Sequence, residues 1–109
     1  MAGLVRYAHD GNNVLLFSNP DTPRGRKNVT LRMSRDEGKS WPVARSIEPG
    51  YSAYSDLAVT IDGTILCFYG RSKDVHFAGD RLTLARIPWA WIASAESEID
   101  GSPAQTNLK

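Results

Sequence analysis

The sequence predicts an all-β fold made of two consecutive units of antiparallel strands. Three observations support this prediction: short apolar runs recur along the chain, Asp-Gly turns separate several of them, and the pattern of the first half returns in the second. Residues 29–33 alternate strictly and place Val29, Leu31 and Met33 on one face. A period of two is typical of a strand with one buried face.

The first unit covers about residues 4–48 and contains four predicted strands. Strands at 4–8 and 14–17 flank the dipeptide Asp10-Gly11, and strands at 29–33 and 43–47 follow. Asp-Gly between apolar runs favours a hairpin, because both residues tolerate the positive φ of a tight turn. Pro49 and Gly50 then predict an interruption between the strands of the two units.

The second unit covers about residues 52–87 and repeats the pattern with three strands. Asp62-Gly63 follows Asp10-Gly11 at an offset of 52 residues, and the apolar run at 66–69 then falls on that at 14–17. A period of this size with short strands is typical of propeller blades. The predicted architecture is therefore about two four-stranded β-propeller blades, the second incomplete.

Composition limits the classes of function. The 109 residues suit one domain, and 13 basic against 12 acidic residues suggest no nucleic-acid partner. No apolar run reaches the ~20 residues of a membrane helix, and the N-terminus lacks the pattern of a secretory leader. The single Cys67 is expected to be a small buried hydrophobe, while His9 and His76 lack companions at metal-ligand spacing. No metal or cofactor is expected.

The end of the chain departs from the strand pattern. Residues 88–92 suit a short helical turn with proline at its first position, and Trp89 and Trp91 are expected to pack against the sheet. Residues 94–109 are polar and rich in small side chains, so a mobile tail is expected after a propeller portion at 1–93.

Residues 34–41 match the pattern Ser/Thr-x-Asp-x-Gly-x-Ser/Thr-Trp, known as an Asp-box. The matching positions are Ser34, Asp36, Gly38, Ser40 and Trp41. The aspartate can accept backbone N–H groups of the turn, the glycine supplies a positive φ, and the tryptophan covers the hairpin. The motif is therefore interpreted as structural. A calcium loop fits less well, because further oxygen ligands at the required spacing are absent.

With these motifs in place, the chain resembles the C-terminal portion of the exo-α-sialidases (neuraminidases), a family with Asp-box (BNR) repeats. The matching segments are residues 15–20, the approach to the next strand around Arg26, the Asp-box, and residues 53–57 and 82–86. The resemblance as a whole covers residues 4–92. The resemblance implies the last two blades of a six-bladed propeller.

The resemblance also implies roles for individual residues. Tyr54 falls on the family's tyrosine nucleophile, and Arg26 on the last of three arginines that bind the carboxylate of sialic acid. Arg24 is the alternative, because the loop leaves the register open by a step or two. A neutral phenol suits this substrate, since an anionic nucleophile would be repelled by that carboxylate. A packed aromatic strand residue remains the other interpretation of Tyr54.

The implied activity is retaining hydrolysis of terminal sialic acids from glycans and glycoconjugates by a parent enzyme, which in this family is commonly exported. The family's general acid and base belong to earlier blades, so this chain is expected to need further N-terminal blades and to have little activity alone. Gly70 stands where the family commonly carries a glutamate. The alternatives are a non-catalytic Asp-box segment that binds glycans or proteins, and a self-contained small β domain.

Overall fold

The computed structural model describes residues 2–22, 27–71 and 81–100. Within them the chain forms six antiparallel strands, each paired with its neighbours in chain order, and one helix. The elements are β1 (Gly3–His9), β2 (Asn12–Pro20), β3 (Lys27–Ser34), β4 (Val43–Val59), β5 (Ile65–Arg71), β6 (Arg81–Ile87) and α1 (Trp89–Asp100). The predicted all-β class is confirmed, and the architecture is that of a propeller-like fragment.

Strand β4 connects the two halves of the sheet. Its residues 43–51 pair with β3, whereas residues 52–59 pair with β5. Seventeen extended residues would measure about 55 Å, yet the longest dimension of the chain is 42 Å, so β4 must bend. Pro49 and Gly50 were expected to interrupt the strand. Instead, a register irregularity next to the Val29–Glu48 pair accommodates the proline, which has no N–H to donate.

The two halves of the sheet pack together through β1 and β4. Gly3 lies so close to β4 that a Cβ there would be 2.9 Å from the Cα of Asp56. Further along the same strand, the Tyr7 hydroxyl donates to the carbonyl oxygen of Gly63 at 2.7 Å. The two halves share one apolar core, which includes Leu16, Leu31, Met33, Leu57, Ile65, Cys67 and Ile92. Burial raises the pKa of the Cys67 thiol to about 11, in keeping with its expected role as a hydrophobe.

The pairing gives the sheet two distinct ends. At one end, which we call the turn rim, lie the Asp10-Gly11 turn, residues 34–41 and the 60–64 turn. At the other end, which we call the site rim, β2 ends at Pro20, β3 begins at Lys27, β5 ends at Arg71 and β6 begins at Arg81. Lys27 pairs with Tyr51, and Ser52 pairs with Arg71, so β4 changes partner at the site rim.

The helix α1 is longer than the predicted turn at residues 88–92. It extends to Asp100 and so includes residues 94–100, which were expected to belong to the tail; residues 101–109 lie outside the described part of the chain. Ile92 is fully buried, and Trp89 stacks on Tyr7 with ring centroids 4.6 Å apart. Arg35 binds the Glu96 carboxylate at 2.5 and 2.9 Å, which holds the later turns against the sheet. No helix in the described ranges is long and apolar enough to cross a membrane.

Candidate functional site

Tyr54 lies in a β-bulge of β4, near the site rim. Ala53 pairs with Gly70 and Asp56 with Phe68, so Tyr54 and Ser55 together face the single residue Tyr69 on β5. The backbone of Tyr54 has a φ of 58°, in the left-handed region that L-residues with large side chains rarely adopt. Its side chain is 45% exposed. A bulge is a common means of redirecting one side chain out of a sheet.

Buried hydroxyl groups fix the backbone on both sides of Tyr54. The Ser18 hydroxyl donates to Oγ of Ser55 at 2.9 Å, and both serines are buried. The backbone N–H of Val29 donates to Oγ of Ser52 at 3.1 Å, and that hydroxyl lies 3.0 Å from the carbonyl oxygen of Gly50. These bonds connect β4 to β2 and β3, so the conformation of Tyr54 is imposed by the surrounding sheet.

The strict alternation of a regular strand is broken in this stretch. Simple alternation would place Ser52 on the same face as Tyr54 and Asp56, directed toward the mouth of the site. Ser52 is instead fully buried and bonded to Val29, whereas Tyr54 and Asp56 are exposed. The bulge explains the difference, because the register irregularity between Ala53 and Asp56 interrupts the alternation after Ser52. The Asp56 carboxylate accepts the N–H of Leu57 at 2.9 Å.

Arg24 and Arg26 lie outside the described residues, as does His76. Described residues on either side of the arginines are hydrogen-bonded to each other. Asn28 donates from its side-chain amide to the carbonyl oxygen of Asp21 at 3.0 Å, and the N–H of Asp21 donates to the carbonyl oxygen of Asn28 at 2.9 Å. This double link closes the base of the loop at the site rim. Lys27, the next residue after Arg26, pairs with Tyr51 of β4.

The structure also brings together a charged cluster at the site rim that the sequence did not indicate. Oε1 of Glu48 lies 3.2 Å from the Tyr69 hydroxyl and 3.3 Å from Nε of Arg71. Burial, with the Glu48 charge as a second cause, raises the pKa of Tyr69. Glu48 and Arg71 are 23 positions apart, and Glu48 precedes the part of β4 that pairs with β5, so the sequence alone does not indicate their contact.

The segment 34–41, which matches the Asp-box pattern, lies at the opposite end, on the turn rim, where the Asp36 carboxylate is the centre of a compact turn. It accepts the Ser40 N–H at 2.8 Å, the Ser34 hydroxyl at 2.8 Å and the Ser40 hydroxyl at 2.6 Å. These hydrogen bonds lower its pKa to about 2. Gly38 has a φ of 88° and accepts a hydrogen bond from the Trp41 indole at 3.2 Å. No group of three or more potential metal ligands occurs within the described ranges.

The known proteins that the chain matches include sialidases from three bacteria. The chain is 39% identical over 69 residues to a sialidase of Micromonospora viridifaciens, covering 63% of this chain and 11% of that protein. It is 39% identical over 61 residues to a Vibrio cholerae sialidase, covering 51% of this chain and 8% of that protein. A Bacteroides fragilis sialidase is 35% identical over 65 residues, which is 57% of this chain and 12% of the relative.

No family model matches the chain. The chain spans about a tenth of the length of the curated relatives it matches.

Proposed function

We propose that this chain, a segment of the sialidase family, supplies the nucleophile and part of the carboxylate-binding site of a retaining exo-α-sialidase. The observation that carries the proposal is that the residue assigned by the family resemblance also has a strained backbone. The residue that the family resemblance assigns as nucleophile, Tyr54, is the exposed tyrosine held at a φ of 58° in a bulge near the site rim. Strained backbone of this kind concentrates at functional sites.

In this mechanism the Tyr54 hydroxyl gives its proton to a base and attacks the anomeric carbon of a terminal sialic acid, while the bond to the aglycone oxygen breaks and an acid protonates that oxygen. Water then hydrolyses the resulting glycosyl-enzyme intermediate and releases Tyr54. A phenol with an ordinary pKa near 10 is a weak nucleophile, so it needs a base and a cationic environment. Arg26, with Arg24 as the alternative, would bind the sialic acid carboxylate through its planar guanidinium fork. The base and the acid would come from further blades of a longer protein.

The described loop base supports this assignment of the arginine. The bonds between Asp21 and Asn28 place the start and the end of the loop at the site rim, and Lys27 lies three residues from Tyr54 through its pairing with Tyr51. The non-catalytic alternative is not favoured, because the relatives that match are named sialidases.

A chimeric enzyme tests the proposal. The matching segment of the Micromonospora viridifaciens sialidase is replaced by this chain, and turnover of a fluorogenic sialoside is measured. We expect the chimera to be active and Tyr54→Phe to lower kcat by about a thousandfold or more, since a phenyl ring cannot form the covalent bond. Tyr51→Phe is the matched control, because Tyr51 pairs with Lys27 outside the bulge.

Two further variants distinguish the arginines. If Arg26 binds the carboxylate, Arg26→Gln raises KM far more than Arg24→Gln does, and the reverse result identifies Arg24. An active chimera whose turnover survives Tyr54→Phe would overturn the nucleophile assignment. The chain alone is expected to show little turnover on the same substrate.

A further inference from the structure

Small side chains from three strands meet on the buried side of the bulge that carries Tyr54. Gly3 of β1 pairs with Ser18 of β2, and the Ser18 hydroxyl donates to Oγ of Ser55 in β4 at 2.9 Å. Ser55 is the residue after Tyr54 and belongs to the same bulge. Both serines are buried, at 0% and 4% exposure. Ser18 is therefore a direct link from another strand to the backbone of the bulge.

The two hydroxyls occupy positions where apolar side chains would give a more stable core. Ser18 continues the inward-facing positions of β2, in which Val14 and Leu16 are fully buried. A buried hydroxyl loses its bonds to water and needs a partner, so it stabilises a core less than an apolar side chain of similar size. The Ser18–Ser55 bond therefore serves the geometry of the bulge more than the stability of the core.

Gly3 leaves the space that this arrangement requires. A Cβ at residue 3 would lie 2.9 Å from the Cα of Asp56 and from the backbone nitrogen of Leu57, and 3.0 Å from Oγ of Ser18. Cβ atoms hardly ever approach backbone atoms this closely, so alanine at residue 3 would displace β4 directly after the bulge. The strand β1 thus holds the residues that follow Tyr54, while Ser18 holds the neighbouring one.

We propose that Ser18, Ser55 and Gly3 are positioning residues for Tyr54, an inference that rests on its proposed function as nucleophile. The hydrogen bond and the close contact hold the backbone of Tyr54 at its φ of 58° and so direct the phenol. Without them the bulge relaxes toward a regular strand, and the hydroxyl leaves the line of attack on the anomeric carbon. A displacement of about 1 Å at a reacting group can lower a rate about a hundredfold.

The kinetics of the chimera test this role. Ser18→Ala and Gly3→Ala should each lower kcat about ten- to a hundredfold and change KM by less than about twofold, because these buried residues do not touch the sugar. Ser18→Ala combined with Ser55→Ala should be no worse than either variant alone, since both remove the same bond.

Ser34→Ala is the matched control. It also removes a fully buried serine hydroxyl, which donates to Asp36 at 2.8 Å, but it does so at the turn rim. We expect this variant to be less stable than the wild type and to keep its kcat. A difference between Ser18→Ala and Ser34→Ala therefore separates positioning from a general loss of stability.

A second measurement detects the positioning without catalysis. In the 109-residue chain, Tyr54→Gly should unfold at a higher urea concentration than Tyr54→Ala, because glycine accepts a positive φ. In the Ser18→Ala background this advantage of glycine should disappear, since the backbone can then leave the left-handed region. In the Ser34→Ala background it should be retained. If Ser18→Ala does not fold, Ser55→Ala removes the same bond and takes its place.

An advantage of glycine that persists without the Ser18–Ser55 bond would overturn the positioning role. So would the absence of this advantage in the chain that retains both serines, or equal losses of kcat in Ser18→Ala and Ser34→Ala. An inactive chimera, together with an advantage of glycine that depends on Ser18, would contradict the catalytic proposal alone.

Discussion

At the scale of single residues, Tyr54 shows how this chain maintains an unfavourable backbone conformation. A non-glycine residue in the left-handed region costs about 1–3 kcal/mol. The surrounding structure imposes this cost through the Ser18–Ser55 hydrogen bond and the close approach of Gly3 to the following residues. The strain should therefore be measurable by substitution.

We predict that Tyr54→Gly is more stable than Tyr54→Ala by about 1 kcal/mol, because glycine accepts a positive φ without steric cost. Both variants remove the same aromatic side chain, so their difference isolates the backbone term. The free energy of unfolding is measured by urea denaturation of the chain.

The control for this comparison is Ala58, an exposed position on the same strand without a positive φ. There Ala58→Gly should lower stability by about 0.5–1 kcal/mol, as is usual for glycine within a strand. If glycine is less stable than alanine at both positions, Tyr54 carries no backbone strain.

The Asp36 carboxylate should make the stability of its turn depend on pH. Its pKa is lowered to about 2 in the folded chain by bonds from Ser40 and Ser34, against an ordinary value of 3.8. A lowered folded-state pKa stabilises the fold above the ordinary value, and this contribution disappears as the pH falls from about 4 toward 2. Asp36→Asn should therefore lower the unfolding free energy at pH 6 and much less at pH 2.

Urea denaturation of the wild-type chain and of Asp36→Asn at several pH values between 2 and 6 measures this difference. Glu37 and Asp62 also have lowered pKa values, so the wild-type curve alone does not isolate Asp36. A gap between wild type and variant that stays constant over this range would show that the charge of Asp36 contributes nothing.

At the scale of elements, the helix α1 acts as part of the core. Ile92 is fully buried, whereas Ile61 in the 60–64 turn is 99% exposed. We predict that Ile92→Ala lowers the free energy of unfolding by about 2–5 kcal/mol, from lost burial and the cavity that remains. Ile61→Ala removes the same atoms and should change stability by less than about 0.5 kcal/mol. Similar effects in thermal or urea unfolding would mean that α1 does not pack on the sheet in solution.

The elements also show what the sequence could predict. Alternation and Asp-Gly turns are local signals, and they predicted seven short strands, four in the first unit and three in the second. The structure has six, because the last strand of the first unit and the first strand of the second are continuous in β4. The bulge at Tyr54 has no such signal, because it depends on Tyr69 opposite and on the Ser18–Ser55 bond, 37 positions apart. The length of α1 was underestimated for a similar reason, since residues after Ser94 look like a polar tail until Arg35 is known to bind Glu96.

The candidate site could also be predicted only in part. Tyr54 could be predicted from the sequence, because it lies in the short segment 53–57 that carries the family resemblance. The contact between Glu48 and Arg71 could not, because it depends on the bend of β4, which brings residue 48 close to the end of β5.

At the scale of the whole molecule, the two halves of the sheet enclose one core but leave an outer face uncovered. Phe68, Leu82 and Leu84 are 43%, 79% and 39% exposed. They lie together, since Phe68 pairs with Leu84 and Leu82 pairs with Gly70. β6 is also the last strand of the sheet, so its outer edge has no strand partner among the described residues. Such a face and edge suit packing against a further sheet of the kind that a longer propeller supplies.

We therefore predict that the chain associates with itself as its concentration rises, because no second sheet within the described ranges covers this face. The double variant Leu82→Lys, Leu84→Glu should raise the dissociation constant by at least about tenfold, since each buried leucine contributes about 1.5–3 kcal/mol. Ile61→Lys removes an apolar side chain at the turn rim that is even more exposed, at 99%, and should leave association unchanged. Sedimentation velocity over a hundredfold range of concentration measures all three proteins. A chain that stays monomeric throughout, or an equal effect of the two variants, would show that the Phe68 face does not drive association.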